Sequence, residues 1–72
     1  MKIICTRQNE NGSFDNVGTN NQFLTSHYKT LQGFIRYGIP ETYRNKKLRI
    51  ELYHDHNFYV APPYKTVYHT KY

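Results

Sequence analysis

Leu48, Ile50 and Leu52 alternate with Arg49, Glu51 and Tyr53. That period of two predicts a β-strand with one face packed and the other wet. A different spacing holds at Leu31, Phe34 and Ile35, which follow at i, i+3 and i+4 and fall on one side of a short helix. Thr30 is placed to cap its start, its hydroxyl covering an unpaired amide. Gly38 is expected to end it in the left-handed conformation, with Pro40 blocking any continuation. Gly33 costs about 1 kcal/mol inside a helix relative to alanine, which a close approach to the sheet would explain.

The remaining elements are shorter. Ile3, Ile4 and Cys5 open a strand near the N-terminus. Residues 9–21 hold five asparagines and two glycines and read as a loop, with a tight turn at Asn11-Gly12. Phe14 and Val17 are its candidates for contact with the core. Residues 22–28 suit a second strand or a helical turn. Asp55-His56-Asn57 reads as a turn, and Phe58, Tyr59 and Val60 continue as strand before Pro62-Pro63 forces an extended bend. Residues 67–71 form a closing strand, expected at an edge. The fold class is therefore α+β, a three- to four-stranded antiparallel sheet with one short helix packed on one face. The helix shields Leu48, Ile50, Leu52 and either Ile3 or Ile4, and the other face is expected to show Arg49, Glu51 and Tyr53 to solvent.

Seventy-two residues make a single domain, 1–72, with a modest core. A walled substrate cleft would consume the side chains that form that core. One cysteine cannot make an internal disulfide, and no signal peptide or membrane span is legible, so a cytoplasmic protein without membrane contact is expected. Asn11-Gly12-Ser13 fits a glycosylation sequon, but without a secretion signal it reads as a turn.

Charge changes the picture through its placement. Of the net +5, residues 43–72 carry +4, and six of the eight tyrosines lie there too. The densest cluster is Arg44-Asn45-Lys46-Lys47-x-Arg49. Tyr59, Tyr64, Tyr68 and Tyr72 surround Pro62-Pro63. Cations attract an anionic partner and rigid rings supply contact area, although tyrosine also covers thin cores as a good strand former.

Candidate chemistry is sparse. His54-Asp55-His56 would point both imidazoles one way on a strand, but a metal site needs a third ligand from His69, His27 or Cys5, and no spacing requires one. Cys5 sits in an apolar run, where thiols are usually buried and inert. No nucleophile–base arrangement, phosphate loop or carboxylate pair is present in sequence. No enzyme activity, metal or cofactor is expected.

Lys29-Thr30-Leu31-x-x-Phe34-Ile35 followed by Leu48-Arg49-Ile50-Glu51-Leu52-Tyr53-His54-Asp55 resembles the helix–strand segment of one type I-F anti-CRISPR family. More broadly, the layout resembles small phage-encoded proteins that disable host machinery. The resemblance implies a non-enzymatic inhibitor that docks on a host defence or nucleic-acid-processing complex and blocks its site, in the host cytoplasm. Its partner would be one host macromolecule, a protein or ribonucleoprotein. The expected contact residues are Arg44, Lys46, Lys47, Arg49, Tyr53, Tyr59, Tyr64, Lys65 and Tyr68. The alternative is a direct DNA- or RNA-binding protein using the same basic, tyrosine-rich sheet face. An exposed last strand also leaves self-pairing as a homodimer open.

Overall fold

The computed structural model describes residues 1–16, 21–25, 27–55 and 61–72. The expected strand at Phe58–Val60, the core contact of Val17, and Tyr59 and His56 lie outside the described residues.

Four strands form one antiparallel sheet: β1 (Lys2–Arg7), β2 (Gln22–Thr25), β3 (Lys47–Tyr53) and β4 (Lys65–Thr70), in the order β2-β1-β3-β4. The register sets Ile3 beside Leu52, Cys5 beside Ile50 and Val67 beside Ile50 from the other side. Residues directly opposite share a face, so Ile3, Cys5, Leu48, Ile50 and Leu52 make one apolar layer, joined by Phe34 and Ile39. Residues 22–28 settle as strand over Gln22–Thr25, and the closing strand begins at Lys65, two residues before the position expected.

Across this layer runs the helix, α1 (Leu31–Gly33), which widens directly into a π-helical turn, Phe34–Gly38. Thr30 caps it as expected: its hydroxyl accepts from the Gly33 amide at 3.0 Å. Both glycines have reasons other than those expected. A Cβ on Gly33 would meet the capping Thr30 hydroxyl at 3.2 Å, not the sheet. Gly38 is not left-handed, since Gly12 (φ 89°) and Asn45 (φ 61°) hold the positive φ values among the described residues. Instead, a Cβ on Gly38 would lie 2.6 Å from Phe34 and 2.8 Å from Tyr28. Two rings occupy the space a side chain would need, so the position requires glycine. A 3₁₀ turn, Glu41–Tyr43, follows Pro40 and leads to Asn45, whose left-handed backbone starts β3.

The second sheet face departs from expectation. By register, Arg49, Glu51 and Tyr53 share it with Ile4, Thr6, Thr66 and Tyr68. Ile4 and Thr6 are fully buried, Tyr53 is 5% exposed and Glu51 9%. The asparagine-rich loop supplies part of the cover. It doubles back after β1 through an antiparallel bridge between Gln8 and Phe14, around the predicted turn at Gly12. Phe14 lies 5.4 Å from the Arg49 guanidinium and 5.6 Å from the Tyr68 ring. Arg49 donates to the Asp15 carbonyl at 2.6 Å. Asp15 in turn accepts from the Asn9 and Asn21 amides at 2.8 and 2.9 Å, and Asn21 also donates to Asn9. The described part of the loop, residues 9–16 and Asn21, is a pinned strap, so the β1 and β3 part of the helix-distal face is not an open platform.

Candidate functional site

The expected contact residues divide into a sealed group and an exposed one. Arg49 and Tyr53 belong to the first. Arg49 Nε lies 3.4 Å from Glu51 Oε1, with side-chain exposures of 19% and 12%. The Tyr53 hydroxyl donates to Glu51 Oε2 at 3.4 Å. These groups serve one another before they can serve a partner, which corrects the expectation that Arg49, Glu51 and Tyr53 point outward.

The exposed group follows β4. Tyr64, Tyr68 and Tyr72 are 49%, 56% and 83% exposed, and Lys65 and Thr66 stand in solvent between the first two. Tyr64 precedes β4 and stacks on the His54 ring at 4.5 Å, 24° from parallel. That stack stiffens the ring and supports a flat contact surface. Because β4 is bonded only to β3, its other edge is unpaired within the described sheet. Pro62-Pro63 sets the chain's entry to this rim.

A second feature gathers at the opposite end of β4. The Lys47–Thr70 pairing places the start of β3 beside the end of β4, whereas Lys65 pairs with Leu52. Five steps along the strand separate Lys65 from Thr70, about 17 Å. At the Lys47 end an open, polar cleft of about 450 Å³ lies between the strap and the segment leading into β3. Arg7, Lys46 and Lys47 line it together with Glu10 and Asn45. Arg7 is oriented by a 2.9 Å hydrogen bond to Asn21 Oδ1, and the Lys47 ammonium sits 6.0 Å from the Tyr68 ring centre. Arg44, expected among the cluster, is exposed and paired with Glu41 at 3.4 Å.

Arg7 was not legible as a site residue. It lies almost 40 positions before Lys46, and the β1–β3 register, ending at Arg7–Leu48 and the Gln8 amide's 3.0 Å bond to the Lys47 carbonyl, brings the two segments together.

Among the described residues no group of three or more histidine, cysteine or acidic side chains could hold a metal ion. His27 lies 2.9 Å from Asp55. Cys5 is fully buried, and burial pushes its thiol up to about 12, far from the thiolate a nucleophile needs. A disulfide reagent at pH 8 should leave the folded protein unlabelled and react with one thiol once denaturant is added. Labelling at the same rate in both states would contradict the burial. Burial likewise raises the Tyr43 phenol above its ordinary value, helped by proximity to Cys5.

No protein-family model, curated protein or solved structure shows a significant match to this chain. Among the described residues no helix is long and apolar enough to cross a membrane.

Proposed function

We propose that this is a non-enzymatic binding protein that docks on one macromolecule through the rim formed by β4 and its flanking tyrosines. The supporting observation is that three of the four exposed large rings among the described residues, Tyr64, Tyr68 and Tyr72, follow β4, while Tyr37 stands by itself on the helical segment and Tyr53 is buried. Large rings on solvent-exposed backbone cost little conformational entropy to immobilise, and tyrosine is enriched where interfaces concentrate their energy. Lys65 adds a cation on the same rim, which favours an acidic surface and raises the rate of encounter.

The helix–strand resemblance to phage inhibitors gives this activity its form: occupation of a site on a host defence or nucleic-acid-processing complex. Such an inhibitor needs a rigid surface and no reaction chemistry. A small sheet, stapled by a helix on one side and a strap on the other, meets that need.

The test is capture from nuclease-treated host lysate on immobilised protein. A specific partner retained by the wild type and lost from both Tyr64→Ala and Lys65→Glu is the expected result. Equal retention by both variants would remove the β4 rim as the contact surface.

A further inference from the structure

We infer that the cleft between the strap and the start of β3 binds the phosphates of single-stranded nucleic acid, with Tyr68 as the adjoining stacking surface. This goes beyond the docking role of the β4 rim, because the cleft lies at the other end of that strand, with Tyr68 as the one residue the two surfaces share.

Three cations from two distant segments converge there against one carboxylate, Glu10. Such convergence is a cost to folding unless something offsets it, because like charges repel. Arg7 is held in place by Asn21 at 2.9 Å, so its guanidinium is presented in a fixed direction and loses little freedom on binding. Lys46 is half-buried, and it has no ion pair among the described residues. An arginine fork beside two point-charge ammoniums suits phosphate oxygens. The cleft is open and polar, as a chain passing through it requires.

Tyr68 narrows the ligand further. It is 56% exposed, and its inner side is backed by Phe14 at 5.6 Å. With the Lys47 ammonium over the ring at 6.0 Å from its centre, a phosphate at the ammonium and a base against the exposed phenol can be contacted together. Bases in a duplex are already stacked and unavailable to such a ring, whereas a single strand offers them freely. The chemistry is sequence-tolerant, since every base has a π face.

The experiment is fluorescence anisotropy of labelled ten-nucleotide oligothymidylate with the full chain, over a range of salt. Neutralising three phosphates on a single strand predicts a slope of log K against log[salt] near −2, at about 0.7 per phosphate. Lys46→Glu with Lys47→Glu should weaken binding at least tenfold, and Tyr68→Ala several-fold. Glu10→Gln removes the opposing carboxylate from an exposed turn and should tighten binding several-fold, a gain that misfolding cannot mimic. Lys65→Glu, at the far end of β4, should change it less than threefold.

Four results would overturn the inference. These are no binding at low salt, unchanged binding by the double lysine variant, equal affinity for polyglutamate, or preference for a ten-base-pair duplex. Displacement by equimolar inorganic phosphate or thymidine monophosphate would likewise replace a polynucleotide site with a free-phosphate one. Loss of oligonucleotide binding in the lysine variant, with protein capture by the β4 rim intact, would separate the two sites.

Discussion

Replacing Phe34 with alanine is expected to destabilise the fold by about 3–5 kcal/mol, the usual cost of emptying a buried phenyl site. Phe34 is the one fully buried side chain of the helical segment, and it packs in a T-shaped contact with Tyr28 at 5.5 Å. It plugs the apolar layer of Ile3, Cys5, Leu48, Ile50 and Leu52. The site cannot collapse easily, because the helix is tied at one end by the Thr30 cap and at the other by the Gly38 approach. Stability for 72 residues should lie at roughly 4–11 kcal/mol, so this single change removes much or all of it. Urea unfolding followed by circular dichroism measures the loss. A shift worth less than about 1 kcal/mol would show that the helix is not the lid of this core.

The second large effect concerns the covered face. Glu51→Ala should destabilise by about 2 kcal/mol, because it leaves Arg49 beneath the strap without its carboxylate. The penalty is below that of a fully buried pair, since both side chains retain some exposure (19% and 12%). Glu51 sits beside Ile4 of β1, so an apolar side chain fits the surroundings. The double variant Arg49→Met/Glu51→Leu should therefore be more stable than either single change predicts by addition. Near-additivity in that double-mutant cycle would mean that the two charges do not interact along β3.

Much of the architecture was legible because local and global signals agree there. The alternation of Leu48 to Tyr53, the Thr30 cap and the Leu31-Phe34-Ile35 stripe each fix one element, and together they fix the α+β layer. The π-helical widening at Phe34–Gly38 was not legible, because the i, i+3, i+4 spacing of Leu31, Phe34 and Ile35 is the same for an ordinary helical turn. The strap was missed for a related reason. Asparagines read as turn formers, and here Asn9 and Asn21 spend their amides on Asp15, which the Arg49 side chain holds down. Phe14, a lone phenyl in a polar run, was the available hint that this loop packs on something.

The site was legible only in part. Tyr64, Lys65 and Tyr68 stand exposed, although the expected closing strand began only at Val67 and reached neither Tyr64 nor Lys65. Arg49 and Tyr53 obey the predicted alternation, yet alternation says only which face a side chain takes. Whether another segment covers that face depends on how the loop returns. Arg7 joined the basic cluster through strand register, which carries no mark in sequence spacing.

Tyrosine reactivity toward a nitrating reagent, read by mass spectrometry on the free protein and on its captured complex, tests the claim that contact has moved to the sheet's rim. Tyr53 should remain unmodified in both states, while Tyr64 and Tyr68 react in the free protein and are shielded in the complex. A Tyr53 that reacts as fast as Tyr68 when free, and becomes protected when bound, would contradict the account.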